Sequence, residues 1–326
     1  MGGEEIIVVE GLGKDFGAFT AVESVDFAVR GREIFGFLGP NGAGKTTTIN
    51  MLATLLRPSR GRAELAGFDV AARPTDVRRS IGMVFQDPSL DDRLTAEENL
   101  HFHALIYNVP PNLRRQRAEQ VLGIVGLADR RRALVRTFSG GMKRRLEIAR
   151  GLLHHPKVLF LDEPTAGLDP QTRNAIWEHV RRLREEVGIA VFMTTHYMDE
   201  AENCDRIAII DHGKIQALDT PEALKRMVGG DKIIVVGDPA LHEDLAARYG
   251  VAVQEVDGSL HFHVEGGAEF VPRVVVDFKE RIRSIQVKQP SLDDVFLKLT
   301  GHAIPEQEGT ELDQMRVAAK LWMKRR

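Results

Sequence analysis

Cysteine, long apolar runs and excess charge of either sign are all scarce in this sequence. Its 326 residues include one cysteine, Cys204, which cannot form an internal disulfide and is typical of a reducing compartment. The longest apolar runs, such as Ile189–Met193 and Ile6–Val9, fall far short of the roughly 20 residues that a membrane-spanning helix needs. We therefore expect neither a disulfide-stabilised secreted domain nor a membrane-spanning chain.

The charges are nearly balanced, with 44 Lys and Arg against 47 Asp and Glu and a formal net charge of −3. Proteins that neutralise a nucleic-acid backbone concentrate positive charge, so we expect no nucleic-acid partner. The first five residues, Met-Gly-Gly-Glu-Glu, carry acids where a signal peptide carries positive charge. They also lack the Ser or Thr of a myristoylation signal. We therefore expect a soluble chain.

Short apolar runs alternate with longer helical segments over the first 220 or so residues. Such runs are typical of buried parallel strands in an α/β sheet. The predicted strands are Ile34–Leu38, Ile81–Phe85, Val158–Leu161, Ala190–Met193 and Ile207–Ile210. The predicted helices are Lys45–Leu55, Ala96–Tyr107, Arg114–Val125, Gly140–His154 and Thr172–Glu186. The segment His212-Gly213-Lys214 predicts a tight turn between two antiparallel strands.

A second, smaller domain is predicted after Gly229-Gly230, which follows the last helical stretch of the first part. We place a first domain at residues 1–228, a small α+β domain at 231–303 and a polar tail with a terminal helix at 304–326. The predicted strands of the small domain are Ile233–Val236, Val251–Val253, Leu260–Val264 and Ile282–Val287. Its predicted helices lie near Ala240–Arg248 and Val271–Glu280.

A phosphate-binding loop is the clearest motif. It follows a predicted strand and precedes a predicted helix, as the P-loop pattern requires. Its residues are Gly39, Pro40, Asn41, Gly42, Ala43, Gly44, Lys45 and Thr46. The glycines allow backbone N–H groups and a helix N-terminus to surround a phosphate chain. Lys45 would reach the β- and γ-phosphates and the Thr46 hydroxyl would hold Mg²⁺.

Two acids end the apolar strand that begins at Val158, namely Asp162 and Glu163. Taken alone, such a pair is more often a helix cap or a solvated edge. A P-loop in the same chain favours another interpretation, in which Asp162 completes the Mg²⁺ site. Glu163 would then polarise water beside the γ-phosphate as a general base.

A second hydroxyl-plus-glycine helix start occurs at Ser139-Gly140-Gly141. Ser139 would serve as a plain N-cap in the simplest interpretation. The same geometry also offers a phosphate a hydroxyl and free N–H groups. Since one chain does not need two such sites for one γ-phosphate, the segment predicts a head-to-tail pair of subunits that share each nucleotide.

The motifs together resemble those of the ABC ATPase family, and they cover about residues 6 to 220. In order, they are the P-loop Gly39–Thr47, a Q-loop Gln86, the signature Phe138–Met142, a Walker B strand through Glu163, a D-loop Ala166–Asp169 and a switch His196. The resemblance implies a P-loop NTPase fold of ABC type, with a mostly parallel core sheet, a helical subdomain and the small C-terminal α+β domain. It also implies ATP and Mg²⁺ as ligands.

Further roles are implied by the resemblance alone. Phe16 would stack on adenine, where the family usually has Tyr; otherwise it is a core residue. Gln86 would sense Mg²⁺ and the attacking water, and His196 would contact the γ-phosphate. Asp169 would act across the dimer interface, or would simply cap the helix near Thr172. The nucleotide contacts of the P-loop extend to Thr47.

The signature departs from the family's commonest form, since Phe138 replaces Leu and Met142 replaces Gln. Ser139 and both glycines are present, so the phosphate contact is expected to be kept. The segment Leu292-Asp293-Asp294-Val295-Phe296-Leu297 is similar to an element that ends daunorubicin/doxorubicin-resistance ATPases. The same residues at helical spacing also make an ordinary core face.

This similarity implies an ATPase subunit of a bacterial exporter of drugs or other amphipathic compounds. It would form a homodimer through ATP and lie at the cytoplasmic face of the membrane on a separate permease, which handles the small-molecule cargo. An importer ATPase with a regulatory C-terminal domain is the main alternative. A DNA-maintenance or ribosomal ABC ATPase is less suited, because only about 90 residues separate Thr47 from Phe138 and the chain has one cassette.

Overall fold

The computed structural model describes residues 4–87, 89–238, 240–256 and 258–302. The strands are β1 (Glu5–Phe16), β2 (Phe19–Arg30), β3 (Ile34–Leu38), β4 (Arg60–Leu65), β5 (Phe68–Asp69), β6 (Ile81–Val84), β7 (Val158–Asp162), β8 (Ala190–Thr195), β9 (Arg206–Asp211), β10 (Lys214–Asp219), β11 (Asp231–Gly237), β12 (Gln254–Val256), β13 (Ser259–Val264) and β14 (Ile282–Lys288). The helices are α1 (Lys45–Leu52), α2 (Pro74–Ser80), α3 (Ala96–Ile106), α4 (Pro111–Ile124), α5 (Gly140–Leu152), α6 (Pro170–Arg182), α7 (Met198–Ala201), α8 (Pro221–Val228), α9 (Leu241–Tyr249), α10 (Gly267–Phe278) and α11 (Leu292–Thr300). No helix in these ranges is long and apolar enough to cross a membrane.

A ten-stranded sheet in the order β5-β4-β1-β2-β10-β9-β3-β8-β7-β6 forms the main domain. Its β9-β3-β8-β7-β6 part is parallel. Every residue of β3, β7 and β8 is buried, which explains why these strands are continuous apolar runs. The register pairs Leu38 with Thr195 and Asp162 with Thr194. The carboxyl ends of β3, β8 and β7 therefore lie side by side.

Helices cover both faces of this sheet and form two hydrophobic cores. One core contains Ile49 and Met51 of α1 together with Phe35, Phe160 and Phe192 of the strands. The other core contains residues of α3, α4, α5 and α6. Helices α3, α4 and α5 contact one another and form the expected helical subdomain. The α/β fold with a mostly parallel core is thereby confirmed.

The C-terminal part is a small antiparallel sheet in the order β12-β13-β11-β14. Helices α9 and α10 supply Leu241, Leu245 and Val274 to its core, where they meet Ile233 and Phe262. The α+β character of this part is confirmed.

The last described helix leaves this sheet and returns to the main domain. Helix α11 contacts α8, and its Leu292, Val295 and Phe296 are buried in the same core as Leu224 of α8. Ser291 caps α11 with a capping box to Asp294. The two parts of the chain are therefore joined by packing as well as by the linker at Gly229-Gly230.

Several predicted bounds were wrong. The predicted strand Val251–Val253 does not pair; its valines pack against the small core while the Val253 carbonyl lies 3.1 Å from His242 Nε2. The alternation of apolar residues there reflects packing against the core and not strand pairing. The strand that does pair is β12, which begins at the next residue. Helix α6 begins at Pro170 rather than Thr172, and α10 spans Gly267–Phe278 rather than Val271–Glu280. The predicted terminal helix at 304–326 lies outside the described residues.

Candidate functional site

The P-loop connects the end of β3 to the start of α1, as its sequence requires. A side chain at Gly39 would place a Cβ 2.2 Å from the Ile210 carbonyl oxygen, and Gly44 has φ +105°. Neither position accepts another residue without strain. The Ala43 carbonyl accepts a hydrogen bond of 3.0 Å from the Gly213 amide. The loop is therefore held from below by the hairpin between β9 and β10.

Lys45 points back over this loop from the first turn of α1. Its ammonium donates to the carbonyl oxygens of Gly39 at 2.8 Å and Pro40 at 3.1 Å. It also lies 3.3 Å from Glu163 Oε1. Burial lowers the pKa of Lys45, and the nearby carboxylates of Glu163 and Asp162 partly offset that effect. A cation is thus fixed at the mouth of the loop.

Asp162 lies at the end of β7 and meets two hydroxyl groups. Thr46 Oγ1 of α1 is 3.3 Å from Asp162 Oδ1, and Thr194 Oγ1 of β8 is 2.5 Å from the same oxygen. Burial raises the pKa of Asp162, which the two hydroxyl contacts oppose. A carboxylate and a hydroxyl brought together in this way are oxygen donors of the kind that Mg²⁺ prefers.

Glu163 is the point where the predicted residues meet. Its Oε1 lies 3.3 Å from Lys45 Nζ and 3.3 Å from His196 Nδ1, the latter poorly aligned for a hydrogen bond. Gln86 Nε2 is 3.5 Å from Oε2. Burial alone would raise the pKa of Glu163, but the His196 ring and the Lys45 ammonium together hold it below its usual value. The carboxylate is therefore kept ionised in a buried pocket.

The backbone at Glu163 is strained, with φ +44°, a region that non-glycine residues rarely adopt. The Glu163 amide donates a hydrogen bond of 3.0 Å to Thr194 Oγ1. The Arg144 guanidinium of α5 donates to the carbonyl oxygens of Glu163 at 3.0 Å and Pro164 at 2.6 Å. These contacts oppose relaxation of the strained backbone and so fix the direction of the Glu163 side chain.

Arg144 and Thr194 are the site residues that the sequence did not single out. Arg144 also donates to the Phe85 carbonyl next to Gln86 and pairs with the fully buried Glu147 at 3.1 Å. One guanidinium therefore connects the segment of Gln86 with that of Glu163. A signal was available in α5, because Arg144 and Glu147 share a helical face with buried apolar residues, where unpaired charges are rarely tolerated.

The sequence matches two family profiles: "ABC transporter" over residues 22–166, and "ATP-binding protein DrrA1-3-like, C-terminal domain" over residues 220–300. The daunorubicin resistance ATP-binding protein DrrA2 of Streptomyces coeruleorubidus is 40% identical over 93% of this chain and 97% of its own length. The linearmycin resistance ATP-binding protein LnrL of Bacillus subtilis is 37% identical over 92% and 99%.

This chain belongs to the ABC transporter family, in its DrrA-like group of ATP-binding proteins. It is accordingly an ATPase and the nucleotide-binding subunit of an ABC transporter. The predictions of family, fold and ATP hydrolysis are confirmed.

Solved structures agree with this assignment. The cbiO1 protein of Clostridium perfringens, part of the ABC transporter complex cbiONQ, has a TM-score of 0.65 at 27% identity and covers 76% of this chain and 96% of its own. An ATP-binding cassette bound to ADP and Pi, a dimer in a post-hydrolysis state, has a TM-score of 0.59 at 28% identity over 66% and 98%. ABC ATP-binding subunits thus bind nucleotide, dimerise and work with membrane components.

The predicted signature segment and D-loop lie at the starts of α5 and α6. Ser139 caps α5 by accepting the Met142 amide at 3.3 Å, and Asp169 caps α6 by accepting the Thr172 amide at 2.9 Å. A Cβ at Gly141 would lie 2.3 Å from Thr172 Cγ2, so the two helix starts pack together. No hydrogen bond or ion pair joins Ser139 to the P-loop within the described ranges.

Phe16 is not a core residue. It lies at the β1–β2 turn with 48% of its surface exposed, and the Lys14 ammonium is 5.1 Å above its ring. Strand β2 continues from this turn to Ala21 and Val22, which contact Gly44. The ring is therefore an exposed flat surface at the end of a hairpin whose second strand reaches the P-loop.

Proposed function

We propose that the chain is the ATP-hydrolysing subunit of an exporter for drugs or other amphipathic compounds, working as an ATP-bridged homodimer on a separate membrane permease. The observation that carries the hydrolytic part is the convergence of Lys45, His196 and Gln86 on the buried Glu163 carboxylate. In this proposal Glu163 is the general base, which accepts a proton from the attacking water.

Phosphate binding is assigned to the P-loop, residues 39–47. An anionic phosphate chain would replace the loop carbonyls and Glu163 as the partner of the Lys45 ammonium, because phosphate oxygens are charged acceptors. Once Lys45 contacts phosphate, the Glu163 carboxylate would be available to water. His196 and Gln86 are assigned to contact the γ-phosphate and the water, and Phe16 is assigned to stack on the adenine ring.

Thr46 and Asp162 would hold Mg²⁺, with Gln86 as a further oxygen donor. Their oxygen atoms fit the preference of this ion for hard ligands, and the 3.3 Å between Thr46 Oγ1 and Asp162 Oδ1 brings the two together. The ion would neutralise charge on the phosphates. Thr194 keeps the Asp162 carboxylate in place by a hydrogen bond.

The homodimer is supported by the exposed position of Ser139 at the start of α5. Ser139 and Gly140 are exposed at the start of α5, whereas Gly141 is buried. This helix start offers a hydroxyl and suits a phosphate held by a second copy. Asp169 lies at the neighbouring helix start and would contact the partner subunit. Each copy would then contribute a P-loop to one nucleotide and a signature segment to the other.

A membrane partner is supported by an exposed apolar surface on the helical subdomain. Phe102 and Ile106 of α3 are 61% and 58% exposed, and the segment between Gln86 and Arg93 leads into this helix. We place the permease contact here, so that movement at Gln86 reaches the partner. This contact would hold the subunit at the cytoplasmic face of the membrane as a peripheral protein.

Drug export is inferred from the relatives, whose names state resistance to daunorubicin and linearmycin. We also propose that residues 231–303 form an accessory unit next to the ATPase domain of residues 1–228. That unit is fastened to the ATPase domain by α11.

The test of export is purification of the chain from gently solubilised membranes, followed by reconstitution into vesicles. We expect a multi-span protein to co-purify and daunorubicin to accumulate in the vesicles only with ATP. Glu163→Gln complexes are the control and should not transport. Absence of a multi-span partner would contradict the transporter assignment, whereas a partner without daunorubicin transport would contradict this cargo alone.

The dimer is tested in the Glu163→Gln background, in which ATP should not be consumed. We expect this variant to dimerise with ATP, and the addition of Ser139→Arg to prevent dimerisation while each monomer still binds ATP. Glu119→Arg, on the exposed face of α4, is the matched control and should still dimerise. A Glu163→Gln protein that stays monomeric at high concentration, alone and with its permease, would overturn the proposal.

A further inference from the structure

A cluster of one carboxylate and two imidazoles lies where the end of α11 meets the hairpin between β9 and β10, the hairpin that also contacts the P-loop. The ligand atoms of Asp211, His212 and His302 all lie within 4.8 Å of one another. We propose that these three residues bind a divalent transition-metal ion of the zinc type. The ion would join the end of the C-terminal part to the main sheet.

The hairpin presents two of the three ligands. Asp211 is the last residue of β9 and pairs with Lys214 across the turn. His212 and Gly213 have φ +45° and +74°, the left-handed pair that two-residue hairpin turns require. A turn of this kind fixes the direction of the His212 side chain relative to Asp211, because both lie on one rigid hairpin.

The third ligand is placed by the end of α11. Gly301, with φ +79°, terminates the helix. Thr300 Oγ1 then lies 2.8 Å from the Phe296 carbonyl and 3.0 Å from the His302 carbonyl, and its one proton can bond to either. The His302 ring packs edge-on against the ring of Phe296, with centroids 5.6 Å apart. Since Phe296 is fully buried, the imidazole is anchored to the core.

The distances suit a small ion. His302 Nε2 is 3.2 Å and His212 Nε2 is 3.8 Å from the same carboxylate oxygen, Asp211 Oδ2. Ligand atoms at 2.0–2.2 Å from a tetrahedral zinc are about 3.4 Å apart. A small rotation of the His212 ring about its side-chain bonds would therefore complete the triangle, and this side chain is 87% exposed.

The donor types select the class of metal. Two neutral imidazoles and one carboxylate suit zinc and its neighbours, whereas Mg²⁺ and Ca²⁺ prefer oxygen ligands alone. The Asp211 carboxylate is 8% exposed and the His302 ring 44% exposed. An ion would thus enter from solvent, meet a partly desolvated negative charge, and keep water at its remaining position.

The test is a zinc titration of the untagged full-length protein after treatment with a chelator. Mg²⁺ and ADP are present in excess to occupy the acidic groups of the nucleotide site. We expect one zinc ion per chain by calorimetry, and a visible absorption band of tetrahedral type when cobalt replaces zinc. Bound zinc should also raise the melting temperature, because it binds the folded chain preferentially.

Each of His212→Asn, His302→Ala and Asp211→Asn should weaken zinc binding at least tenfold and remove the cobalt band. His212→Asn is the decisive variant, since asparagine tolerates the left-handed turn and the histidine is mostly exposed, so the fold is kept. His263→Ala on β13, an exposed histidine, is the control and should bind zinc normally. Zinc binding that His212→Asn leaves unchanged, or no one-to-one binding at all, would overturn the proposal.

Discussion

The nucleotide site and the C-terminal sheet handle charge in opposite ways. Lys45, Asp162 and Glu163 are buried and share contacts at the ends of parallel strands. In the C-terminal part, by contrast, the ion pairs lie at the surface, as for Arg281 with Asp244 at 2.6 Å. Burying an ionised group costs several kcal/mol after relaxation. The comparison indicates that the main domain keeps buried charges, at a cost in folding free energy, where the nucleotide chemistry needs them. The charges of the small domain instead lie at its surface and keep it solvated.

Sheet type explains why the two parts differ. Parallel strands end at the same edge, so β3, β7 and β8 bring Leu38, Asp162 and Thr195 into neighbouring positions although they are far apart in sequence. In the antiparallel sheet of β11 to β14, adjacent strands end at opposite edges. That arrangement gives a packed face for α9 and α10 but no convergence of strand-end side chains.

The largest effect is expected from neutralising Glu163. Glu163→Gln should reduce ATP turnover by about 100-fold or more, because the amide cannot accept the proton of the attacking water, while ATP binding should be kept. Glu269→Gln, an exposed acid of α10, is the control and should hydrolyse ATP normally. Steady-state phosphate release and nucleotide titration measure the two quantities. Equal turnover in both variants would remove Glu163 from its assigned role.

Next in size is the loss of the buried Arg144 guanidinium. Arg144→Met should lower the free energy of unfolding by roughly 3–5 kcal/mol, because the buried Glu147 would lose its nearer cation and keep only Arg150 at 3.9 Å. Loss of Arg144 would also free the strained backbone at Glu163. Arg281→Met removes a cation from the surface pairs of the C-terminal part and should leave the urea midpoint close to the wild-type value. If both variants were equally unstable, the contrast between buried and surface charge would fail.

Local patterns in the sequence predicted much of the fold. Continuous apolar runs located β3, β7 and β8 because buried parallel strands need no polar face. The pattern failed at Val251–Val253, where side-chain burial occurs without strand pairing. It also missed that Leu292, Val295 and Phe296 face α8 of the main domain, since helical periodicity shows that a face is buried but not what covers it.

The candidate site was predictable where a motif carries its own chemistry. The P-loop, Asp162, Glu163, Gln86 and His196 were selected from sequence, and the structure brings their side chains together. Arg144 and Thr194 were not, because their contacts to Glu163 depend on how α5 and β8 pack against β7. The cluster of Asp211 with His302 spans 91 residues, and no local pattern connects its members.

A smaller effect is expected at Glu200 of α7, a buried carboxyl within the main domain. Burial raises its pKa to about 7, despite the hydrogen bond from Thr195 and the charge of Arg173. The folded state therefore binds this proton more tightly than the unfolded state. Its stabilising effect is complete below about pH 4.5 and is lost as the pH rises through about 7, a change of about 3 kcal/mol.

Glu200→Gln should therefore flatten the decline in unfolding free energy between pH 5 and pH 8. Urea unfolding at several pH values measures the slope. Glu243→Gln, at an exposed position on α9, should keep the wild-type slope. If the unfolding free energy of Glu200→Gln declined with pH as steeply as that of the wild type, ionising Glu200 would cost little free energy. This carboxyl would then behave like a surface acid.

The smallest effect concerns the attachment of the C-terminal part. Val295→Ala removes two methyl groups from the interface between α11 and α8, where Val295 is 1% exposed, and should cost about 2 kcal/mol. Val276→Ala on α10, where the side chain is 79% exposed, should change stability by less than about 0.5 kcal/mol. In calorimetry, weakening this interface should separate one melting transition into two, because the two sheets have distinct cores and α11 is the helix that joins them. A single transition that only moves to lower temperature would mean that the linker and the hairpin contact at His302 suffice to unite the two parts.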